Sequence, residues 1–376
     1  MNLIIVGASA RAAAFSARRG GMRPWCVDLF GDADLEARFP VRTVPVDIYP
    51  RGLLAALAGA PEGPVIYTGG LENYPGLIGQ IAQGRPLWGN PPEVLRRVRS
   101  PFLLQKVLAK HGMPTLAVRS DPPGTGDARQ WLLKPLRGSG GVGIRHYRGQ
   151  SFDPRTHYLQ EYSQGNCFGA VFLGLPHGRS LLMGITRLLR ASWLHAPAFH
   201  YCGNVLPGFV APSNLPAVGD LLTDAFSLRG LFGVDVLYHT TSRAGPAGPA
   251  GFRVLEVNPR YTASIEVLER AYGRSLLALH RAVFEGRSES WQAPAEVAAI
   301  GKAILYARED FVFPCEGPWS QALTADSVDV EYADIPHAGE RLGGGRPVLT
   351  LFESGSTECM QALKRKAEYL DRHLWG

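Results

Sequence analysis

The sequence predicts an α/β lobe with a parallel strand pair at its N-terminus, followed by a long region of strands and turns and then helices. Three observations carry that reading. The opening "LIIVGASARAAAF" passes from a β-branched run to an alanine-rich helix and on to "RPWCVDLF", a strand–helix–strand order. From about Thr115 to Ser163, strands and turns dominate, and further sheet strands follow. Within that region, "WLLKPLRGSGGVGIR" places a lysine on a strand ahead of four closely spaced glycines, a strand–loop–strand hairpin. A chain of 376 residues, 45% hydrophobic and 19% charged, has room for two or three lobes.

In chain order, residues 3–6 read as a buried parallel strand, Gly7 as a turn, Ala10 to Arg19 as a helix and "RPWCVDLF" as a strand ending at Asp28. An acid about 20 residues past the first glycine suggests a dinucleotide site. Ser9 and Ala12 stand where its second and third glycines belong, so a scaffold lobe is the better reading. "GPVIYTGG" at 63–70 is a further strand and loop. Helical segments follow up to Gly112 and Pro114, with Pro101 breaking or starting one. "CFGAVFLG", "LLMGITRLL" and "FGVDVLYH" read as sheet strands, and 240–252 as an exposed hairpin loop from which "RVLEVNPR" pairs back. Helices follow at "ASIEVLERAYG" and "SLLALHRAVFEG", a polar break at 286–296, then strands and a final helix, "CMQALKRKAEYLDRHL".

A net charge of +6 spread without basic runs argues against nucleic acid as a partner. The five cysteines form no CxxC pair, which points to free thiols and a cytoplasmic location, and no apolar run reaches membrane-spanning length. Only six basic residues are lysine, so Lys134 ahead of the glycines stands out. In the P-loop order the lysine follows the glycines; here the flexible loop would fold over a phosphate instead of cradling it from a helix end. Glu256 and Asn258 lie two apart on one strand and share a face, and Asp235 comes from the paired strand. Three oxygen donors suit magnesium, which takes few protein ligands besides phosphate oxygens. The alternative is a buried ion pair of Glu256 with Arg253 or Arg260.

The ordered set of lysine–glycine hairpin, "YLQEYSQG", "GVDVLYH" and "LEVNPRYTAS" resembles the ATP-grasp superfamily, over essentially the whole chain. The nearest likeness is to the predicted carboligases related to biotin carboxylase. The resemblance implies an ATP-grasp fold with a Rossmann-like pre-grasp domain (1–93), an ATP-grasp domain (94–286, lid lobe about 115–163) and a small C-terminal α+β portion (287–376). It implies Lys134 on the ATP phosphates, Ser139, Gly140, Gly141 and Gly143 as the lid, and Gln160, Glu161 and Tyr162 at the adenine. Asp235, Glu256 and Asn258 would hold Mg2+, or Mn2+ in its place, and Arg260 would stand beside the reacting groups with Lys134. Arg187 and Tyr201, from the stretch that also holds Arg190, His195 and His200, are candidates for the substrate. Two positions depart from the family pattern. Pro101 replaces an early phosphate-contacting lysine, leaving Lys106 or Arg99 as substitutes, and Cys167 replaces a ribose-binding acid.

The activity implied is an ATP-dependent ligase joining a small-molecule carboxylate to an amine through an acyl phosphate, with a homodimer left open. The rivals are a carboxylase working through carboxyphosphate, a nucleotide-binding protein without turnover, and a dinucleotide oxidoreductase resting on "GASARA" and Asp28.

Overall fold

A computed structural model of the chain describes residues 1–206, 212–238, 251–287, 290–294, 296–325, 330–355 and 358–376. The loop expected at 240–252 lies almost wholly outside them.

The first apolar run forms β1 (Asn2–Gly7), which leads through α1 (Arg11–Arg19) to β2 (Arg23–Asp28). With α2 (Ala33–Glu36), β3 (Val41–Thr43), α3 (Leu53–Ala56), β4 (Val65–Tyr67) and α4 (Pro75–Gly84), they make a parallel sheet of order β3-β2-β1-β4. Leu3, Ile4, Ile5 and Val6 are fully buried because helices cover both faces. Helices α5 (Pro92–Val98) and α6 (Pro101–Lys110) lead out of this lobe. Pro101 starts a helix: it sits at the first turn, where no N–H is needed, and the Ser100 hydroxyl caps it by accepting from the Leu103 N–H.

The next lobe is a four-stranded antiparallel sheet of order β5-β8-β6-β7, from β5 (Val118–Arg119), β6 (Trp131–Pro135), β7 (Arg145–His146) and β8 (His157–Glu161). Its core is small, centred on Trp131, Leu133 and Leu159. A larger antiparallel sheet carries β9 (Asn166–Gly174), β10 (Ser180–Leu188), β11 (Gly203–Leu206), β12 (Gly230–Tyr238) and β13 (Phe252–Asn258). Alternation along β9 explains its unbroken apolar run. Val171 and Leu173 pack in one core with α8 (Ala263–Tyr272) and α9 (Leu276–Phe284), while Ala170 and Phe172 pack with α7 (Leu215–Phe226) in another.

The C-terminal strands extend this sheet. Its order is β13-β12-β9-β10-β11-β14-β18-β16, with β14 (Ile300–Tyr306), β16 (Tyr332–Ala333) and β18 (Pro347–Ser354), while β15 (Phe311–Val312) and β17 (Arg341–Leu342) form a separate ribbon. Short α10 (Ser320–Thr324) precedes β16, and the final helix α11 (Cys359–Trp375) buries Leu363, Ala367 and Leu370, one stripe at helical spacing. Among the described residues, no helix is long and apolar enough to cross a membrane.

Candidate active site

The pairing of β12 with β13 sets Asp235 opposite Glu256 and Gly233 opposite Asn258, so the three polar side chains share one face. A bulge follows Asp235, an irregularity that re-aims side chains at a strand edge. The Asn258 amide donates two long hydrogen bonds, 3.3 Å to Asp235 Oδ2 and 3.4 Å to Glu256 Oε1. Burial, then the charge of Glu256, pushes Asp235 up to about 8. Burial works the same way on Glu256, but the charges of Lys134 and Arg99 outweigh it and hold that carboxyl below its ordinary range. The pair therefore keeps one proton between the two carboxyls. Two carboxyls that cannot both be charged without a cation, with the Asn258 amide beside them, are a donor set that fits a hard divalent ion.

The ion pair expected as the alternative for Glu256 takes another form. Arg260 donates from Nε to Glu72 Oε1 at 2.9 Å, from Nη1 to the Tyr261 carbonyl at 3.1 Å and from Nη2 to Asn258 Oδ1 at 3.4 Å. Among the described residues, the ion pair of Glu256 is with Arg99 at 3.9 Å.

Across from the trio, β6 presents Lys134, buried, with Nζ donating to Gln160 Oε1 at 3.0 Å. Burial opposes its charge, yet Tyr158, Glu256 and Asp235 outweigh that and hold it above the ordinary lysine value. Gln160 also donates to the Leu255 carbonyl at 3.2 Å, tying the small sheet to the strand of Glu256. Glu161 Oε2 accepts from the Ala117 N–H at 3.2 Å, and the Tyr162 N–H donates to the Gln130 carbonyl at 2.7 Å.

The loop after Lys134 needs its glycines. Gly140, Gly141 and Gly143 have φ of 60°, 82° and 80°, the left-handed region that side chains resist. Gly141 also packs flat on the Phe199 carbonyl, where a Cβ would lie 1.9 Å from the oxygen. The loop is held from three sides. Gly140's carbonyl accepts from the Tyr201 N–H at 2.9 Å, and Gly138's from Asn73 Nδ2 at 3.1 Å and Arg99 Nη2 at 3.0 Å. Ser139 is half-buried in the same turn.

A family model described as an ATP-grasp domain matches residues 100–264, the span that holds the lysine, the lid and the acid–asparagine strand. This is an ATP-grasp domain.

Solved structures are similar in fold well beyond that span. An L-amino acid ligase from Bacillus licheniformis superimposes with a TM-score of 0.69 at 14% identity, covering 98% of this chain and 97% of its own. N5-carboxyaminoimidazole synthetase from Staphylococcus aureus, complexed with ADP, gives 0.68 at 11%, with 97% and 95% covered. Biotin carboxylase from Campylobacter jejuni, in a complex with β,γ-ATP, gives 0.68 at 13%, with 96% and 89% covered. No curated relative matches the chain.

Other expected site residues fall outside this cluster. Thr186 donates to Ser264 on α8 and pairs, through Gly169, with Asp235, so it shares the face of the trio. Strand alternation then turns the neighbouring Arg187 to the opposite face, away from Asp235. Tyr201 donates its hydroxyl to Asn204 Oδ1 at 2.7 Å and touches the lid only through its backbone. His195 binds Asp371 of α11 at 2.8 Å, and burial pulls His200 below its ordinary value. Cys167 accepts from Arg190 at 3.0 Å, and Lys106 is exposed on α6, which leaves Arg99 as the cation beside Glu256.

Asp28 is spent inside its own lobe. It accepts the backbone N–H groups of Ala10, of Phe30 at 2.8 Å and of Gly31 at 2.7 Å, leaving little for a cofactor ribose. Two residues that sequence reasoning passed over, Glu72 and Asn73, reach the site from the turn after β4. Their only signal was the "GGLENYP" turn at the carboxyl end of a parallel strand.

Proposed function

We propose that this chain is an ATP- and magnesium-dependent ligase that activates a small-molecule carboxylate as an acyl phosphate and joins it to an amine. The observation that carries the reading is the facing of Lys134 and the Asp235–Glu256–Asn258 trio, joined through Gln160. A carboxylate oxygen attacks the γ-phosphorus and the bond to ADP breaks, ADP leaving with the electron pair. The amine nitrogen then attacks the acyl carbon, the carbon–oxygen bond breaks, and phosphate leaves while the surplus proton passes to solvent.

Asp235, Glu256 and Asn258 hold the magnesium, with manganese as a substitute. That ion, when bound, offsets charge on the phosphate oxygens. Lys134 and Arg260 add fixed positive charge where negative charge gathers, with nothing to reorganise during the step. Ser139, Gly140, Gly141 and Gly143 close over the phosphates and exclude water from the acyl phosphate. The hinge at Gln160, Glu161 and Tyr162 takes the adenine, and Tyr201 lies at the substrate end of the lid. We also propose the division at 93/94 and 286/287, with the last part extending the grasp sheet, and a cytoplasmic location.

A second reading is carboxylation through carboxyphosphate, favoured by the Glu256-x-Asn258-x-Arg260 spacing and by the fold likeness to biotin carboxylase. One assay separates the readings: ADP release with ATP, magnesium and hydroxylamine across a panel of carboxylates. Carboxylate-dependent hydroxamate supports the ligase. ADP release that depends on bicarbonate, with no hydroxamate, supports the carboxylase, and no ADP release at all supports a binding protein without turnover.

A further inference from the structure

The glycine loop needs more support than its own sheet gives it, because the core of that lobe is centred on Trp131, Leu133 and Leu159 alone. Its tip rests on the segment 195–201, between β10 and β11. Two residues of that segment, His195 and Phe199, are not glycine yet have φ of 56° and 66°. For a side chain as bulky as phenylalanine the left-handed region is costly, and it persists only where neighbouring contacts impose it.

Those contacts face two ways. Toward the lid, the Phe199 carbonyl lies flat on Gly141, where a Cβ would come within 1.9 Å of the oxygen, and the Tyr201 N–H donates to the Gly140 carbonyl at 2.9 Å. His146 of β7, the strand that follows the loop, sets its ring 5.4 Å from that of Phe199 and 4.9 Å from that of Tyr162. Toward the C-terminal part, the Tyr201 carbonyl accepts from the Tyr306 hydroxyl of β14 at 2.8 Å, and the His200 ring lies 6.1 Å from that of Tyr306. His195 is joined to Asp371 of α11 at 2.8 Å. The two backbone groups of Tyr201 are thus divided between the lid and a C-terminal strand. Glycine at 199 would adopt the observed angle freely and many others as well. Phenylalanine fixes the carbonyl there because its ring is held beside His146.

We propose that Phe199 and Tyr306 are positioning residues for the lid. The Phe199 carbonyl and the Tyr201 N–H form the seat on which Gly141 and Gly140 lock, and Tyr306 holds that seat from the C-terminal part. The C-terminal part thereby sets how long a nucleotide is retained, acting through the lid. The inference rests on the reading of the glycine loop as a lid over the ATP phosphates.

The test is stopped-flow release of N-methylanthraniloyl-ADP from the full chain in the presence of magnesium, with ligand-free melting measured beside it. Phe199→Gly should speed release about tenfold and Tyr306→Phe several-fold, with association rates near that of the wild type. Phe199 is half-buried and Tyr306→Phe removes a single hydroxyl, so both melting temperatures should shift little. Gly141→Ala disturbs the same contact, so a chain carrying it together with Phe199→Gly should release nucleotide no faster than the quicker single variant. Wild-type release from both Phe199→Gly and Tyr306→Phe, a lowered melting temperature with unchanged release, or rates that multiply in the double variant would each overturn the proposal. If Gly141→Ala alone still speeds release alongside any of those results, the lid reading stands and only the seat falls. Wild-type release from Gly141→Ala, or no binding of the nucleotide by the wild type, would overturn both.

Discussion

Glu256 and Glu266 are ten residues apart, on β13 and α8, and their surroundings are opposites. The Glu266 side chain is 4% exposed and is met by Arg11 at 2.8 Å and Lys302 at 2.6 Å. Burial opposes its charge, but those two cations win and hold it well below the usual carboxylate range. Arg11 in turn binds Asp334, so α1, α8, β14 and the turn after β16 meet in one matched network. The Glu256 side chain is 35% exposed, its nearest cation is 3.9 Å away, and it faces Asp235 across the sheet. Charges that fasten lobes together are met closely by opposite charges from neighbouring elements. At Asp235 and Glu256 two acids instead share a proton beside one asparagine.

Neutralising each acid breaks this comparison most directly. Glu256→Gln should lower magnesium-dependent ATP turnover by orders of magnitude while the ligand-free melting temperature stays about level, because glutamine keeps an oxygen facing Asp235 and Asn258 and removes a charge whose nearest ion-pair partner is 3.9 Å away. Glu266→Gln should do the reverse. It strands Lys302 and takes one of Arg11's partners, leaving that guanidinium to Asp334 and Asp34, and should cost about 3–5 kcal/mol in urea denaturation.

Between these extremes lies the lid, which is held by hydrogen bonds yet contributes little to the core. Gly141→Ala puts a methyl group into the Phe199 carbonyl and should raise KM for ATP about tenfold, roughly 1.4 kcal/mol of lost closure, with little change in melting temperature. Gly140→Ala meets no neighbouring atom and should show only the smaller effect of its backbone angle. Equal effects at the two positions would show that lid packing is irrelevant.

A separate effect is expected on pH. Asp235 titrates near 8 in the fold and at about 3.9 when unfolded, so between those values the folded chain holds a proton that the unfolded chain has released. Its contribution to stability is complete below the lower value and is lost as pH rises towards 8. Ligand-free stability should therefore drift down from pH 5 to about 8, and Asp235→Asn should flatten part of that drift. An unchanged slope in the variant would show that Asp235 carries no extra proton.

Much of this could be read from residue order. The β1–α1–β2 run, the strand carrying Lys134 and the opposition of Asp235 to the Glu256 strand all follow from period and spacing, which are local. What escaped needed the third dimension. Glu72 and Asn73 sit in an aperiodic turn, and only the packing of the first lobe on the grasp core brings them to Arg260 and Gly138. Arg187 looked suited to a substrate because of its chain position, but a one-residue step along β10 decides its face. Strands β14, β16 and β18 were legible as strands, whereas their joining the grasp sheet depends on long-range pairing that no local pattern encodes.

Asp235, Glu256 and Asn258 are proposed here as a metal site in place of a structural ion pair. Electron paramagnetic resonance of free Mn2+, titrated against protein with ADP present, tests it most directly. The account predicts one tightly held ion in the wild type and a large loss of affinity in Glu256→Gln, with the variant as stable as its parent when no ligand is bound. Equal manganese affinity in the two proteins, together with a large loss of stability in the variant, would contradict it.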